Sequence, residues 1–158
     1  MQELLVGALR SRRSDIRERW ETLLRAERAN TPLANPDALV HLIDWTLDEI
    51  FRVLQNAPSR RRASPPFSSG DCPCGRNPLL IYFVAGEQAL QESLVLTQSA
   101  NKNLDPLARD AGLNELNLVL AQIARREVEA FCAVCQFREQ ARAVPIDEGR
   151  VPVAHRHE

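Results

Sequence analysis

Lysine is almost missing from this chain: of its 20 basic residues, 19 are arginine. That bias follows genomic base composition as readily as chemistry, so the run Arg60-Arg61-Arg62 does not by itself mark a binding patch. Long apolar runs are missing too, since none approaches the 18 residues of a membrane span. The N-terminus, Met1-Gln2-Glu3-Leu4-Leu5-Val6-Gly7, lacks a basic region followed by an apolar core and a cleavage site. The expectation is a cytoplasmic protein with no membrane partner. A formal net charge of -1 argues against a nucleic-acid partner. No nucleotide-binding loop, nucleophile elbow or catalytic triad occurs, so no enzyme is expected. Strand-type alternation is absent as well, which leaves helical periodicity as the only organising signal.

That signal runs from end to end. Leu5, Leu9, Ile16, Trp20, Leu23 and Leu24 mark one face of a first helix, from near the start to about Ala29. Asn35-Pro36-Asp37 offers an N-cap, a proline preset for the first turn and an anion near the positive end of the helix dipole, which predicts a second helix from Pro36 to about Asn56. Its stripe is Leu39, Ile43, Leu47, Ile50 and Leu54. From Ala57 to Gly75 the composition turns to Pro, Ser, Arg and Gly, which predicts a long, mobile connection. Asn77-Pro78 starts a third helix whose opening, Leu79 to Ala85, is apolar all round and is expected to be buried on every side. Asp105-Pro106 starts a fourth that reaches about Arg142, with Leu113, Leu116, Leu120, Ile123, Val128, Phe131 and Val134 as its stripe and Gly112 as a place where its first turns break. The predicted fold is all-α: an antiparallel four-helix bundle with a long loop between helices 2 and 3. One domain covers residues 1–144, and residues 145–158, ending His155-Arg156-His157-Glu158, form a flexible C-terminal tail.

The chemistry lies in four cysteines, Cys72-Pro-Cys74 and Cys132-Ala-Val-Cys135. In an antiparallel hairpin, residues whose numbers share one sum lie side by side. Cys72 with Cys135, and Cys74 with Cys132, both place the pivot near residue 103, within the polar stretch Ser99 to Asn103 where a turn falls on other grounds. The fold-back would gather four thiols. Cys132 and Cys135, three apart on a predicted helix, leave one face, while Cys72 and Cys74 precede the N-terminus of helix three, whose dipole favours thiolates. Four thiolates with no open position make a structural zinc site, with Zn–S near about 2.3 Å. A disulfide between Cys132 and Cys135 would distort a helix, because residues three apart hold their Cβ atoms about 5 to 6 Å from each other. A redox-active thiol set and four inert buried cysteines are the other readings.

Other groups are plainer. His41, Asp44, Trp45 and Asp48 read as a semi-exposed polar face, with no Glu-x-x-His pair of the di-iron bundles. Glu87, on the central helix, needs a partner, for which Arg125 and Arg126 are the candidates. The order C-x-C then C-x-x-C is similar to the small helical [2Fe-2S] ferredoxin-like domains associated with bacterioferritin, which implies an iron-sulfur cluster as the alternative cofactor. The segment Ile16-Arg17-Glu18-Arg19-Trp20 leading to Asn35-Pro36-Asp37-Ala38-Leu39-Val40 resembles the N-terminal helical sensor domains of bacterial stressosome co-antagonists of the RsbR type. That resemblance implies a non-catalytic module that receives signals. The combined expectation is a bacterial sensory or protein-interaction module with a protein partner and scope for homo-oligomers, holding zinc on Cys72, Cys74, Cys132 and Cys135. The alternative is a redox protein using the same four cysteines for a [2Fe-2S] cluster or a reversible disulfide.

Overall fold

Every regular element among the described residues, which are 3–27, 34–56, 76–101 and 103–135 of a computed structural model, is helical. The helices are α1 Glu3–Ser11, α2 Arg13–Ala26, α3 Pro36–Leu39, α4 Ile43–Gln55, α5 Pro78–Ala100 and α6 Pro106–Val134, and a tight 3-10 turn at Val40–Leu42 joins α3 to α4. Three of them start on the same device. The side chains of Asn35, Asn77 and Asp105 accept hydrogen bonds from the amides of Asp37, Leu79 and Ala108 at 3.0, 2.9 and 3.2 Å, and a proline follows each cap. Each cap satisfies an amide that the first helical turn leaves without a partner, and the proline removes another.

Several boundaries differ from those the sequence predicts. The first helix is two, broken at Arg12, whose amide bonds Leu9 O at 3.0 Å instead of the carbonyl one residue earlier. Ser11 contributes to the bend by turning its hydroxyl back onto Ala8 O at 2.7 Å. The second helix is interrupted at Val40–Leu42. Side chains three apart eclipse in a 3-10 turn, so Val40 and Ile43 stack on the buried side while His41 and Leu42 face out. The opening of α5 is not buried all round, because Val84 is 60% exposed. Nor does Gly112 break α6. It lies at a close approach, where an added Cβ would press on the Gln98 amide at 3.3 Å. Near its end α6 buries Val128 and Cys132, four apart, while Val134 is 80% exposed, so the apolar face passes through Cys132 rather than through the predicted Val134. The helix ends at Val134, and the predicted continuation to Arg142, the 57–75 connection and the C-terminal tail lie outside the described residues.

The core is built on α5. It packs against α1, α2 and α6, and α4 packs against α1, α2 and α6 from the other side. By length and composition α5 is apolar enough to cross a membrane. Here Tyr82, Phe83, Ala85, Ala89, Leu90 and Leu94 are buried against the other helices. Trp20 of α2, fully buried, donates from Nε1 to Tyr82 O at 3.0 Å and lies 4.8 Å from the Tyr82 ring centre. The indole reaches that carbonyl because the residue one turn on is Gly86, where a Cβ would come within 2.6 Å of Cη2. Tyr82 in turn shares a 2.7 Å hydrogen bond with the Thr46 hydroxyl on α4, so one chain of contacts joins α2, α5 and α4. Burial pushes the Tyr82 phenol up, which keeps it a neutral partner for Thr46.

Arginines fasten the helix faces outside this core. Arg13 and Arg17 of α2 grip Asp44 of α4, and Arg13 also holds Asp48. Arg25 reaches Asp37 at 2.6 Å, and Arg19 holds Glu92 of α5 in a two-pronged pair at 2.7 and 3.0 Å. The Arg19 guanidinium holds the Glu92 carboxyl down at about 2. Exposed pairs of this kind are screened by solvent and add little to stability, so they set helix register more than stability.

Candidate functional site

Asn77 stands at the junction of the long connection and α5, and it is 3% exposed. Its Oδ1 caps α5. Its Nδ2 donates to Val128 O at 3.2 Å and to Cys132 Sγ at 3.4 Å, both on α6. The amide therefore ties the first turn of α5 to the last turns of α6. Around it Leu79 and Leu80 pack on Val128 and Cys132 in a small apolar cluster that Leu79 joins to the main core. Cys132 is thus buried between aliphatic side chains and an amide donor. That environment suits a sulfur held in one orientation.

The hairpin register follows from the same contacts. Asn77 meets Val128 and Cys132, Gln91 donates to Asn117 at 3.0 Å, and Gln98 donates to Arg109 O at 3.0 Å. Each pair is centred between residues 102 and 105, where the sequence puts the turn. The connection itself is short: the Leu104 amide donates to Asn101 O at 3.2 Å, and Asp105 caps α6.

Of the four predicted ligands, Cys132 and Cys135 are among the described residues, and Cys72 and Cys74 are not. Cys135 is not on the helix as predicted. It is the C-cap, in extended conformation, with its amide 3.4 Å from Cys132 O, and it is half-buried. The two thiols accordingly leave the chain from a helical turn and from the strand-like residue just past it, a freer geometry for a chelating pair than two positions on one rigid helix. Among the described residues, no group of three or more His, Cys, Asp or Glu side chains converges as a metal site would need.

The remaining candidates have other partners. Asp44 and Asp48 are held by Arg13 and Arg17, and His41 and Trp45 are exposed on the same face. The guanidinium of Arg17, with Arg13 beside it, lowers the Asp44 carboxyl. Glu87 accepts from Gln91 at 3.0 Å, not from Arg126. Arg126 instead reaches across to Glu49 of α4 at 3.3 Å, and Arg52, with Arg126, lowers Glu49. The notable residue that sequence reasoning passed over is Asn77, recognised only as a helix starter. Its position three residues after Cys74 was the available signal.

Comparison of the chain with protein-family models, with curated proteins and with solved structures finds no match.

Proposed function

We propose that the chain is a helical sensory or protein-interaction module without catalytic activity of its own, in which Cys72, Cys74, Cys132 and Cys135 hold a zinc ion. The observation that carries this reading is the Asn77 to Cys132 hydrogen bond. It fixes the start of α5 against the end of α6, and Cys74 is three residues from Asn77, a reach of at most about 11 Å along the chain. The hairpin register supports the same pairing of ends. The zinc would clamp the connection preceding α5 onto α6, and its four thiolates would leave no open position for a reacting water. Cysteines kept as ligands suit a reducing compartment, so the protein is placed in the cytoplasm.

An antiparallel four-helix bundle is the architecture we propose for the domain, with α1 and α2 as its first member and α3 and α4 as its second. Support comes from the ring of packed neighbours, α2 to α5 to α6 to α4 and back to α2, and from pairs that run in opposite directions: Arg13 with Asp48 but Arg25 with Asp37, and Arg12 beside Leu96 but Trp20 on Tyr82. The second and third members then sit diagonally and run parallel, which explains why the connection between them is the long one. A module of this kind with the resemblance of its first third to stressosome sensor domains fits signal reception through a protein partner.

Metal analysis of freshly purified, reduced protein tests the reading. One zinc per chain in a colourless protein is the expected result. A brown protein with iron and sulfide would replace zinc by a [2Fe-2S] cluster on the same four thiols.

A further inference from the structure

One side of α5 is open to solvent: Val84 is 60% exposed and Val95 51%, Leu96 is exposed beside Val95, and so is Gln88 between the valines. Val84, Gln88, Gln91 and Val95 are spaced four, three and four apart, which puts them in a single stripe along the helix. That stripe carries no charge. Its flanking carboxylates are drawn to the sides: Glu92 accepts from Gln88 at 2.9 Å and is held by Arg19 of α2, and Glu87 accepts from Gln91 at 3.0 Å. Exposed aliphatic groups on a strip cleared of charge are the composition of an interface core.

What covers the stripe follows from the order of its residues. From Val84 to Val95 the sequence reads alike from either end: Val84 matches Val95, Glu87 matches Glu92 and Gln88 matches Gln91, about a centre between Ala89 and Leu90. We propose that the protein forms a two-fold dimer in which the outer faces of α5 from two copies pack antiparallel about that centre. The two-fold axis sets Val84 against Val95 of the second copy and Gln88 against Gln91 of the second copy, and then repeats both contacts in reverse. Each glutamine amide keeps a carbonyl and a second N–H for the exchange. The same axis brings the two α2 sides together. There Arg19, which uses Nε and Nη2 on its own Glu92, offers Nη1 to Glu92 of the second copy. A formal net charge of -1 leaves little general repulsion between copies. The 23 residues of α5 make a strip about 35 Å long and about 10 Å wide, less than the roughly 800 Å² that a standard interface takes from each partner, so the adjoining sides of α2 and α6 complete the contact and the dimer is a reversible one. It does not depend on the zinc reading.

Sedimentation velocity of the reduced full-length protein, from about 1 to about 200 μM, tests the dimer. The expected result is the mass of two chains at the top of the range, falling toward one chain at the bottom. Val84→Glu together with Val95→Glu sets like charges opposite each other at both ends of the stripe and is expected to weaken the dimer at least about a hundredfold, leaving one chain throughout. Val84→Lys together with Val95→Glu separates the two possible directions: antiparallel helices set lysine against glutamate and keep the dimer, whereas parallel helices set like against like and lose it. Both valines are exposed, so the helical circular dichroism should stay as it is; Gln88→Glu, which adds a like charge beside the axis, carries the test if a double variant unfolds. A single chain at every concentration of the wild type would overturn the proposal. Two chains retained with glutamate at both positions would also overturn it, by moving the contact off this face, and loss of the dimer in both double variants would overturn the antiparallel axis.

Discussion

The middle of the molecule and the Asn77–Cys132 end are built on different plans. In the middle, Trp20, Tyr82, Gly86 and Thr46 interlock: each large group fills a space the others leave, and the indole and phenol donors are both satisfied. At the Asn77–Cys132 end a few aliphatic side chains surround one buried amide and one buried sulfur at the edge of the main core, to which Leu79 joins them. The first arrangement explains why the chain folds. Among the described residues the second has fewer apolar side chains around it, yet it holds an asparagine and a cysteine out of solvent, where each requires a partner. A region that buries polar chemistry without a large core is where a bound ion would add most, because it supplies the fastening that packing does not.

Substitutions should separate the two regions by size of effect. Trp20→Ala empties the largest buried site in the core and is expected to cost about 3 to 5 kcal/mol in denaturant unfolding, with or without zinc. Gly86→Ala drives a methyl group into the indole and should cost about 2 to 3 kcal/mol, also independently of metal. Thr46→Val leaves the Tyr82 hydroxyl without its partner at nearly constant volume, for a cost of about 1 to 2 kcal/mol. Metal-independent losses in all three, set beside a metal-dependent loss in Cys132→Ser, would sharpen the contrast. Equal losses for core variants and for chelation, with collapse of the helical signal in each, would break it.

The smallest expected effect is on the surface. Glu92, Asp44 and Glu49 all titrate below their ordinary range because arginines hold their charged forms, Glu92 at about 2. Their contribution is present above the unfolded carboxylate range and is lost as pH falls toward 2. The melting temperature should therefore decline between about pH 4.5 and pH 2, and Glu92→Gln should flatten part of that decline while barely changing stability at pH 7. A melting curve set in which Glu92→Gln follows the wild-type pH profile would remove the Arg19 pair from the account.

How legible all this was depended on whether the cause was local. Asn35, Asn77 and Asp105, each followed by proline, announced three helix starts because capping acts within one turn. The turn near residue 103 was legible for the same reason. The break at Arg12 and the 3-10 turn at Val40–Leu42 were not, since they arise where chain segments adjust to a shared core. Gly86 carries no signal of its own in the sequence, and only Trp20, 66 positions earlier, makes it a requirement. Asn77 was read for the half of its side chain that acts locally. Its other half acts on Cys132, distant in sequence, and no periodicity reports that.

If a metal fastens the Asn77–Cys132 end, thermal unfolding of the reduced protein before and after chelation will show it. The expected result is about one zinc per chain as purified, a lower melting temperature after chelation with the helical circular-dichroism signal retained, recovery on adding zinc, and no such response in Cys132→Ser. No metal in fresh protein, together with an unchanged melting temperature when zinc is added, would contradict it.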